Sequence, residues 1–549
     1  MDTDFNKKIE NLFKNKQFEN IKFEINLLED HEKEDPFLYN ILGIIEANQK
    51  NFDKAKFFFY SALKQDRDYL HSLINLSNIS YIDKDFQKII SLLKEYDLRN
   101  PENLKVTSAL ADLCYSAGFV EETIYFHKKL IKSEKFENKD LTALIFLLNY
   151  SSKYSENEYK KYCKLYDEIL TKNKTFYNLV NSEHDSAKIG FLSYDLRDHS
   201  VGYFLKDLIK KLNKQNFKTI AFNLYEDKID NPFMSNLQSS FSEWYNVSNL
   251  DDKELSDYIY SKKVYFLIDL AGYSNGNRLQ VFKNKPAAVQ FSWLGYCNET
   301  HIEEIDFMIT DENVIEKNDN KRFVRMPKIW NSLSKLDSIE INELPVIKNN
   351  FFNFGCFNNF LKISDETIEV WGEILSKFTN SNLILKNSLI SDKNFKNYLL
   401  KKFKTKISEN RIIVLNYEKD KKSHLKQYYN IDLGLDTFPY NGVTTTFESL
   451  WMGVPVITLK GQRFISRCGY SINKNAQLMD FIAKNKDEYI RTALEFNTDD
   501  GIKKLKNLRK SLRPNIINSP LFDTSSFSES FLDNLNKYRK SQNGRKKKK

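Results

Sequence analysis

Leu42, Leu76 and Leu110 stand 34 residues apart, and so do Gly43, Ser77 and Ala111, and Ala62, Tyr96 and Leu130. A unit of about this length holds one helix, a short turn and a second helix, and cannot bury its own apolar face. Neighbouring units must therefore stack. Small residues at 43, 77 and 111 let the paired helices approach where they cross. Units are expected near 2–35, 36–69, 70–103 and 104–137, with Asp35–Pro36 and Asn100–Pro101 near their boundaries and turns such as "NQKNFDKA" and "SAGFVEE" inside them.

This pattern looks like a degenerate tetratricopeptide array, the first unit being the least regular. A plain helical bundle is the alternative, and the triple coincidence at one period argues against it. A further helical pair at 141–170 is expected to bridge to the remainder of the chain.

From Lys188 the pattern changes to strands alternating with helices, which implies βαβ units and parallel sheets. "KIGFLSY", "FKTIAFNLY", "VYFLIDLAG" and "AAVQFSWLG" read as strands, with helices over 201–213 and near 252–261. The polar stretch 311–350 reads as irregular crossing chain. A second series begins at "NFFNFGCFN" and runs through a helix 364–378, "NLILK", a helix near 393–404, "RIIVLN", a helix near 421–430, "IDLGLDTF", a helix 444–452 and "VPVITL". Two doubly wound halves imply a cleft where the strand C-terminal ends face a ligand.

Composition narrows the classes. With 41% hydrophobic and 14% aromatic residues the chain can bury real cores, so wholesale disorder is excluded. A net charge of +9, partly carried by the tail "GRKKKK", is too modest to imply nucleic acid. Cys114, Cys163, Cys297, Cys356 and Cys468 are dispersed and odd in number, as expected of reduced thiols and not of a disulfide framework or zinc site. The N-terminal residues lack a signal-peptide core and no run approaches a membrane span, so a cytoplasmic protein without membrane insertion is expected.

The chemistry concentrates in "LDTFPYNGVTTTFESLWMG", a strand end, a turn and a helix start in succession. The free N–H groups of a first helical turn and the positive end of its dipole make an anion site. Thr444, Thr445 and Thr446 add hydroxyl donors, Gly442 permits close backbone approach, and Asn441 lies in the same turn. Glu448, one helical turn after Thr444, is placed to accept ribose hydroxyls. The same letters permit another reading: Thr445-x-x-Glu448 has the spacing of a capping box, which needs no ligand.

The segment 431–471 is very similar to the nucleotide-binding region of the O-GlcNAc transferase / SPINDLY family, glycosyltransferase family 41. "KIGFLSYDLRDHSVGYFL", "LIDLAGYSNGNRLQVFKNKPAAVQFSWLGY", "IDFMITDENVI" and "FGCFNNFLKISDETIEVWGEILSKFTNSNLIL" match in the same order, covering essentially 188–515. The resemblance implies a GT-B fold and an inverting, metal-independent transfer of a sugar from a nucleotide diphosphate to a protein side chain. Protein groups must then neutralise the leaving diphosphate. Lys362 matches the family lysine that contacts it, and Asn359 stands where the animal enzymes have glutamine. His199 matches a histidine proposed as general base, and His424 one that packs on the nucleotide base. Without the resemblance, Lys362 reads as a solvated lysine ahead of a cap at Ser364, His199 as a helix cap and His424 as surface decoration. Arg467 reads equally as a diphosphate contact or a buttress of the threonine helix. "DLAGYSNGNR" is expected to line the cleft and "WLGY" to pack the lobe interface.

Departures from the family bear on the donor. Val443, Tyr265 and Gln427 replace a histidine, a second histidine and an arginine of the animal enzymes, while Glu448 replaces an aspartate. The expected co-substrate is UDP-GlcNAc, with UDP-glucose and GDP-fucose as alternatives, and no further cofactor or metal. The expected architecture is an α-helical tetratricopeptide solenoid followed by a GT-B pair of Rossmann-like α/β lobes: repeats 1–140, a bridge 141–185, an acceptor-side lobe 186–345, a nucleotide-sugar lobe 346–520, and a C-terminal helix with basic tail 521–549. The partner implied is a polypeptide, presented along the repeat groove through Ser or Thr. A nucleotide-binding repeat scaffold without turnover is the competing reading.

Overall fold

The computed structural model describes residues 3–30, 33–83, 86–177, 185–226, 231–315, 321–386, 393–403, 407–418 and 420–546. It divides into two compact units, Met1–Phe136 and Glu137–Lys549.

The first unit is four helix pairs: Thr3–Lys14 with Phe18–Asn26, Pro36–Asn48 with Phe52–Gln65, Leu70–Asp83 with Phe86–Arg99, and Leu104–Ser116 with Val120–Leu130. Local chemistry sets their starts. Asp35 accepts from the Phe37 N–H with Pro36 in the first turn, and Asn103 accepts from the Val106 N–H. The 34-residue period has a packing cause. A Cβ on Gly43 would lie 2.4 Å from Phe59 Cε1, so the crossing inside the second pair requires glycine. Ser77 and Ala111, at the equivalent positions, are buried, as are Ala62, Tyr96 and Leu130.

The second unit opens with helices Asn138–Leu147 and Glu156–Lys172. Its first lobe holds β1 (Asp185–Ser193), β2 (Lys218–Asn223), β3 (Glu243–Asn246), β4 (Val264–Asp269), β5 (Val289–Ser292), β6 (Phe307–Asp311) and β7 (Phe323–Met326). They form one sheet in the order β3-β2-β1-β4-β5-β6-β7, every pairing parallel. The second lobe holds β8 (Phe352–Cys356), β9 (Ser381–Lys386), β10 (Ile412–Leu415), β11 (Leu433–Leu435), β12 (Val456–Leu459) and β13 (Ile482–Ala483). Its order, β10-β9-β8-β11-β12-β13, is also wholly parallel. Both sheets reverse winding direction between their first and fourth strands, so the ligand crevices lie beyond β1 and β4, and beyond β8 and β11.

The stretch 311–350 is not purely irregular. It contains β7, an edge strand paired with β6 from Met308↔Phe323 to Asp311↔Met326. Helix Thr524–Lys546 returns to the first lobe, where Phe527, Phe531, Leu532 and Leu535 join its core. Trp293 of "WLGY" packs there, with ring centroids 5.1 Å from Phe531, and Tyr296 accepts from Asn149 Nδ2 at 2.8 Å. These two residues thus serve the C-terminal helix and the bridge. Of the basic tail, residues 547–549 lie outside the described residues. Among the described residues no helix is long and apolar enough to cross a membrane, and all five cysteines are buried and unbridged.

Candidate active site

In the second lobe the chain leaves β11 at Asp436, a buried carboxylate that folds the next loop around itself. Its Oδ1 accepts from the Gly442 N–H at 2.7 Å, the Thr437 N–H at 2.9 Å and Asn358 Nδ2 at 3.0 Å, and its Oδ2 from Thr458 Oγ1 at 2.8 Å. Burial raises this carboxyl to about 6, with the Gly442, Thr458 and Asn358 donors and Lys362 opposing. Asn358, the residue before Asn359, ties the loop after β8 to the loop after β11 through Asp436, Thr437 and Thr445.

The helix Thr444–Trp451 begins without a side-chain cap: Val443 occupies the N-cap and supplies none. Thr445 and Glu448 both lie inside the helix, so the capping-box reading does not describe this turn. The first-turn N–H groups therefore face a half-open surface formed by Val443, Thr444 and Thr445. The Thr445 hydroxyl donates to Asn358 Oδ1, and Thr446 is turned inward as well. It is buried, and its hydroxyl donates back to the Gly442 carbonyl at 3.1 Å. Asn441 also departs from expectation: its side chain is buried between the Thr437 carbonyl and the Gly469 N–H. What Asn441 presents is its carbonyl oxygen, which accepts from Lys362 Nζ at 3.0 Å.

Lys362 ends the short 3₁₀ turn Phe360–Lys362 that follows β8. Ser364 caps the next helix through the Thr367 N–H, as the local sequence suggests. Lys362 itself is not a solvated lysine, because its Nζ lies 3.9 Å from the Tyr440 ring centroid. Burial lowers its pKa, while Cys297, Asp436, Cys468 and Cys356 pull in the opposite direction. Asn359 is exposed, and its side chain accepts from the Leu361 N–H at 3.0 Å.

A second cluster surrounds Glu448, which is only 3% exposed. Its Oε2 lies 2.9 Å from His424 Nε2, and its Oε1 is paired with Lys421. Lys386 reaches His424 Nδ1 from the other side. Burial alone would raise the Glu448 carboxyl, but Lys421 and His424 hold it at about 2. Lys386 falls to about 8 through burial, against the pull of Glu448 and Glu418. With both ring nitrogens of His424 engaged in the plane, its face is what an aromatic ligand can meet. Sequence alone does not single out Lys421 and Lys386, although Lys421 stands one helical turn before His424 in "KKSH", a spacing that brings both to one face.

The first lobe contributes His199, the N-cap of helix Ser200–Lys214, whose Nδ1 accepts from the Val201 N–H at 3.4 Å. Burial holds its pKa below the ordinary value, with Asp195, 3.6 Å from Nδ1, opposing. One turn on, the Tyr203 ring lies 4.6 Å from Lys421 Nζ, and the Phe204 ring centroid lies 5.3 Å from that of Phe447. The helix that begins at His199 therefore packs against the threonine helix and the Glu448 cluster.

Other expected cleft residues have structural partners. Asp269 is buried and accepts from the N–H groups of Ala271 and Gly272, and Tyr273 donates to the Thr300 carbonyl, so much of "DLAGYSNGNR" is turned inward. Arg467 immediately precedes helix Cys468–Asn475. It is buried and donates to the Asn313 carbonyl at 2.7 Å, joining the two lobes. Gln427 donates to the Asn416 carbonyl, and Tyr265 packs on the first lobe's core.

The pattern described as Glycosyl transferase family 41 matches residues 149–325 and 342–531. A tomato (Solanum lycopersicum) protein named as a probable UDP-N-acetylglucosamine–peptide N-acetylglucosaminyltransferase SPINDLY is 33% identical over 355 residues, 62% of this chain and 37% of its own length. The Arabidopsis thaliana protein of the same description designated SEC is 26% identical over 352 residues, 61% of this chain and 35% of its own. This chain thus spans under two fifths of those plant relatives. The solved structure of a mutant Thermobaculum terrenum O-GlcNAc transferase superposes with a TM-score of 0.75 at 23% identity, covering 92% of this chain and 97% of the other. That likeness establishes the common fold of repeats and paired lobes.

Proposed function

The chain belongs to glycosyl transferase family 41, and we propose that it is an inverting protein glycosyltransferase that moves a sugar from a nucleotide diphosphate to Ser or Thr of a polypeptide. The observation that carries this reading is the placement of Lys362. Its ammonium is held 3.0 Å from the Asn441 carbonyl, in the loop that runs into the uncapped start of helix Thr444–Trp451. A cation, free helical N–H groups and the hydroxyl of Thr444 then converge at the switch point of the second sheet, where a diphosphate belongs. Gly442 lets that loop close on Asn358.

These parts suffice for the transfer. As the glycosidic bond breaks, negative charge grows on the leaving diphosphate, and Lys362 with the helix start stabilises it there. This needs no metal. The nucleoside end extends towards His424 and Glu448, the ring face meeting the base and the carboxylate and its cations meeting the ribose. His199 faces the acceptor from the first lobe. Nε2 is the nitrogen left for the acceptor: in the capped tautomer, with Nδ1 accepting from the Val201 N–H, it orients the hydroxyl as an N–H donor, and it takes the proton in the tautomer whose Nδ1–H faces Asp195, 3.6 Å away; a depressed pKa keeps the ring neutral for either task. The helical repeats take the polypeptide, and the five buried free thiols suit a reducing, cytoplasmic setting. UDP-GlcNAc is the donor proposed first, on the descriptions of the plant relatives, with UDP-glucose and GDP-fucose as the alternatives that Val443 and Glu448 leave in play.

The test is incubation of the full chain with labelled UDP-GlcNAc, UDP-glucose or GDP-fucose and a cell lysate, with and without chelator. Label on protein from one donor, insensitive to chelator and abolished by Lys362→Ala, is the expected result. No transfer from any of the three overturns the enzymatic reading and leaves the nucleotide-binding scaffold.

A further inference from the structure

We propose that Tyr440 is a positioning residue for Lys362, and that Tyr150 of the helical bridge holds Tyr440 in place. The inference rests on the reading of Lys362 as the cation for the donor diphosphate and extends it to how that cation is aimed and kept charged.

Lys362 Nζ has two contacts from adjacent residues of one loop: the Tyr440 ring face, 3.9 Å to the centroid, and the Asn441 carbonyl at 3.0 Å. A flexible four-carbon side chain is thereby confined to one place. The two contacts differ in kind. A carbonyl accepts from an amine or an ammonium, whereas a ring face attracts the ammonium specifically through its quadrupole. Tyr440 therefore favours the charged form as well as the location.

That preference has something to oppose. Burial lowers the pKa of Lys362, and the groups facing it are Asp436 at the end of β11, Cys356 at the end of β8, Cys297 after β5 and Cys468 at the start of helix Cys468–Asn475. Burial pushes the Cys356 thiol to about 12 and Cys468 well above its ordinary value, so neither offers a charge near neutral pH. Cys297 is held low, by Cys468 first and Lys362 after. The Asp436 carboxylate is already shared among Gly442, Thr437, Asn358 and Thr458. The Tyr440 ring adds to these groups a face in direct contact with the ammonium.

Tyr440 is itself fixed from both ends. Its carbonyl accepts from Thr437 Oγ1 at 2.7 Å, and its ring centroid lies 4.7 Å from that of Tyr150, at 56° between planes. Both tyrosines are buried. Tyr150 closes the 3₁₀ turn Leu148–Tyr150, which is anchored where Asn149 donates to Tyr296 and accepts from Asn298, both at 2.8 Å. The bridge thus reaches the proposed diphosphate cation through two rings in series.

The experiment measures UDP and GDP binding to the full chain by calorimetry between pH 6.5 and 9.5, with an unfolding midpoint for each variant. The parent is expected to bind one of them, less tightly as Lys362 loses its proton. Tyr440→Leu should weaken that binding about tenfold at neutral pH and begin the alkaline loss at lower pH. Tyr440→Phe, which keeps the ring, should restore affinity and pH profile to within about twofold. Tyr150→Leu should shift both in the same direction by less. In a Lys362→Met background, Tyr440→Leu should change affinity less than twofold. Tyr440→Met, unbranched, carries the same expectation if Tyr440→Leu does not fold. An unshifted profile in the aliphatic variants, or an equal loss in the Lys362→Met background, overturns the inference while leaving the site reading intact. Failure of the parent to bind either nucleotide overturns the site reading, and this inference with it.

Discussion

His424 Nε2 lies 2.9 Å from Glu448 Oε2 while Lys421 pairs with the opposite oxygen, so a carboxylate only 3% exposed is kept ionised by an ammonium and a hydrogen-bonded imidazole. Its folded pKa of about 2 lies below the ordinary 4.5. A depressed carboxylate contributes stability above its unfolded pKa and loses it as pH falls through the folded one. The contribution should therefore be full above about pH 5 and fade towards pH 2, with a size of about 3 kcal/mol. Glu448→Gln should be destabilised by roughly that amount at pH 7 and much less at pH 3, as read from urea unfolding at both pH values. An equal penalty at both would show that the pair carries no pH-linked stability.

Gly442 supports a sharper geometric prediction. A Cβ there would lie 2.4 Å from Asn358 Oδ1 and 2.7 Å from Thr445 Oγ1, and Asn358 is pinned by Asp436 and Thr437. Gly442→Ala must displace the loop that places the Asn441 carbonyl beside Lys362. We expect a loss of about 1–3 kcal/mol in stability and at least tenfold weaker UDP or GDP binding by calorimetry, of which Asn358→Ala in the same chain should recover part.

Both features bear on what a sequence can reveal. The 34-residue period and the two strand-helix series are legible because buried positions recur with fixed spacing. The two edge strands of the first sheet are not: β3 is half-buried to exposed throughout and β7 sits inside a polar stretch, so neither shows the apolar run of β4 or β5. At the site, residue types are legible but directions are not. Three threonines in a row look alike, yet Thr446 turns its hydroxyl back to the Gly442 carbonyl and Thr445 donates its own to Asn358 Oδ1, while Thr444 stays half-open. Asn441 contributes its carbonyl because its amide is enclosed by Thr437 and Gly469. Asn358 and Lys386 have no local signal, since their partners lie 78 and 38 residues away in sequence.

Docking of the bridge on the first lobe should depend on Lys283. It is 1% exposed, with Nζ 2.8 Å from Asp167 of helix Glu156–Lys172 and 2.9 Å from Glu304. Burial would lower its pKa, but these two carboxylates raise it overall. Removing one charge leaves the carboxylates facing each other in a partly dry setting. Lys283→Met should cost about 3–5 kcal/mol. Limited proteolysis should then cut within 137–172 sooner than in the parent, whereas an unchanged cleavage pattern would locate the docking energy elsewhere.

His199 performs a structural task and, on the proposed mechanism, a chemical one, and two substitutions separate them. As N-cap of helix Ser200–Lys214 its Nδ1 accepts from the Val201 N–H at 3.4 Å, a long contact that asparagine can reproduce with its side-chain oxygen. His199→Asn should therefore unfold close to the parent, while His199→Ala should lose about 1 kcal/mol. Neither variant retains a group that can exchange a proton near neutral pH. If Nε2 serves the acceptor hydroxyl, both should lose transfer by a similar factor, about 10²–10⁴ in kcat, with donor affinity nearly unchanged. Labelled-sugar transfer beside nucleotide calorimetry on the two proteins reads this directly. Transfer surviving in His199→Asn but not in His199→Ala would assign the histidine to the cap alone.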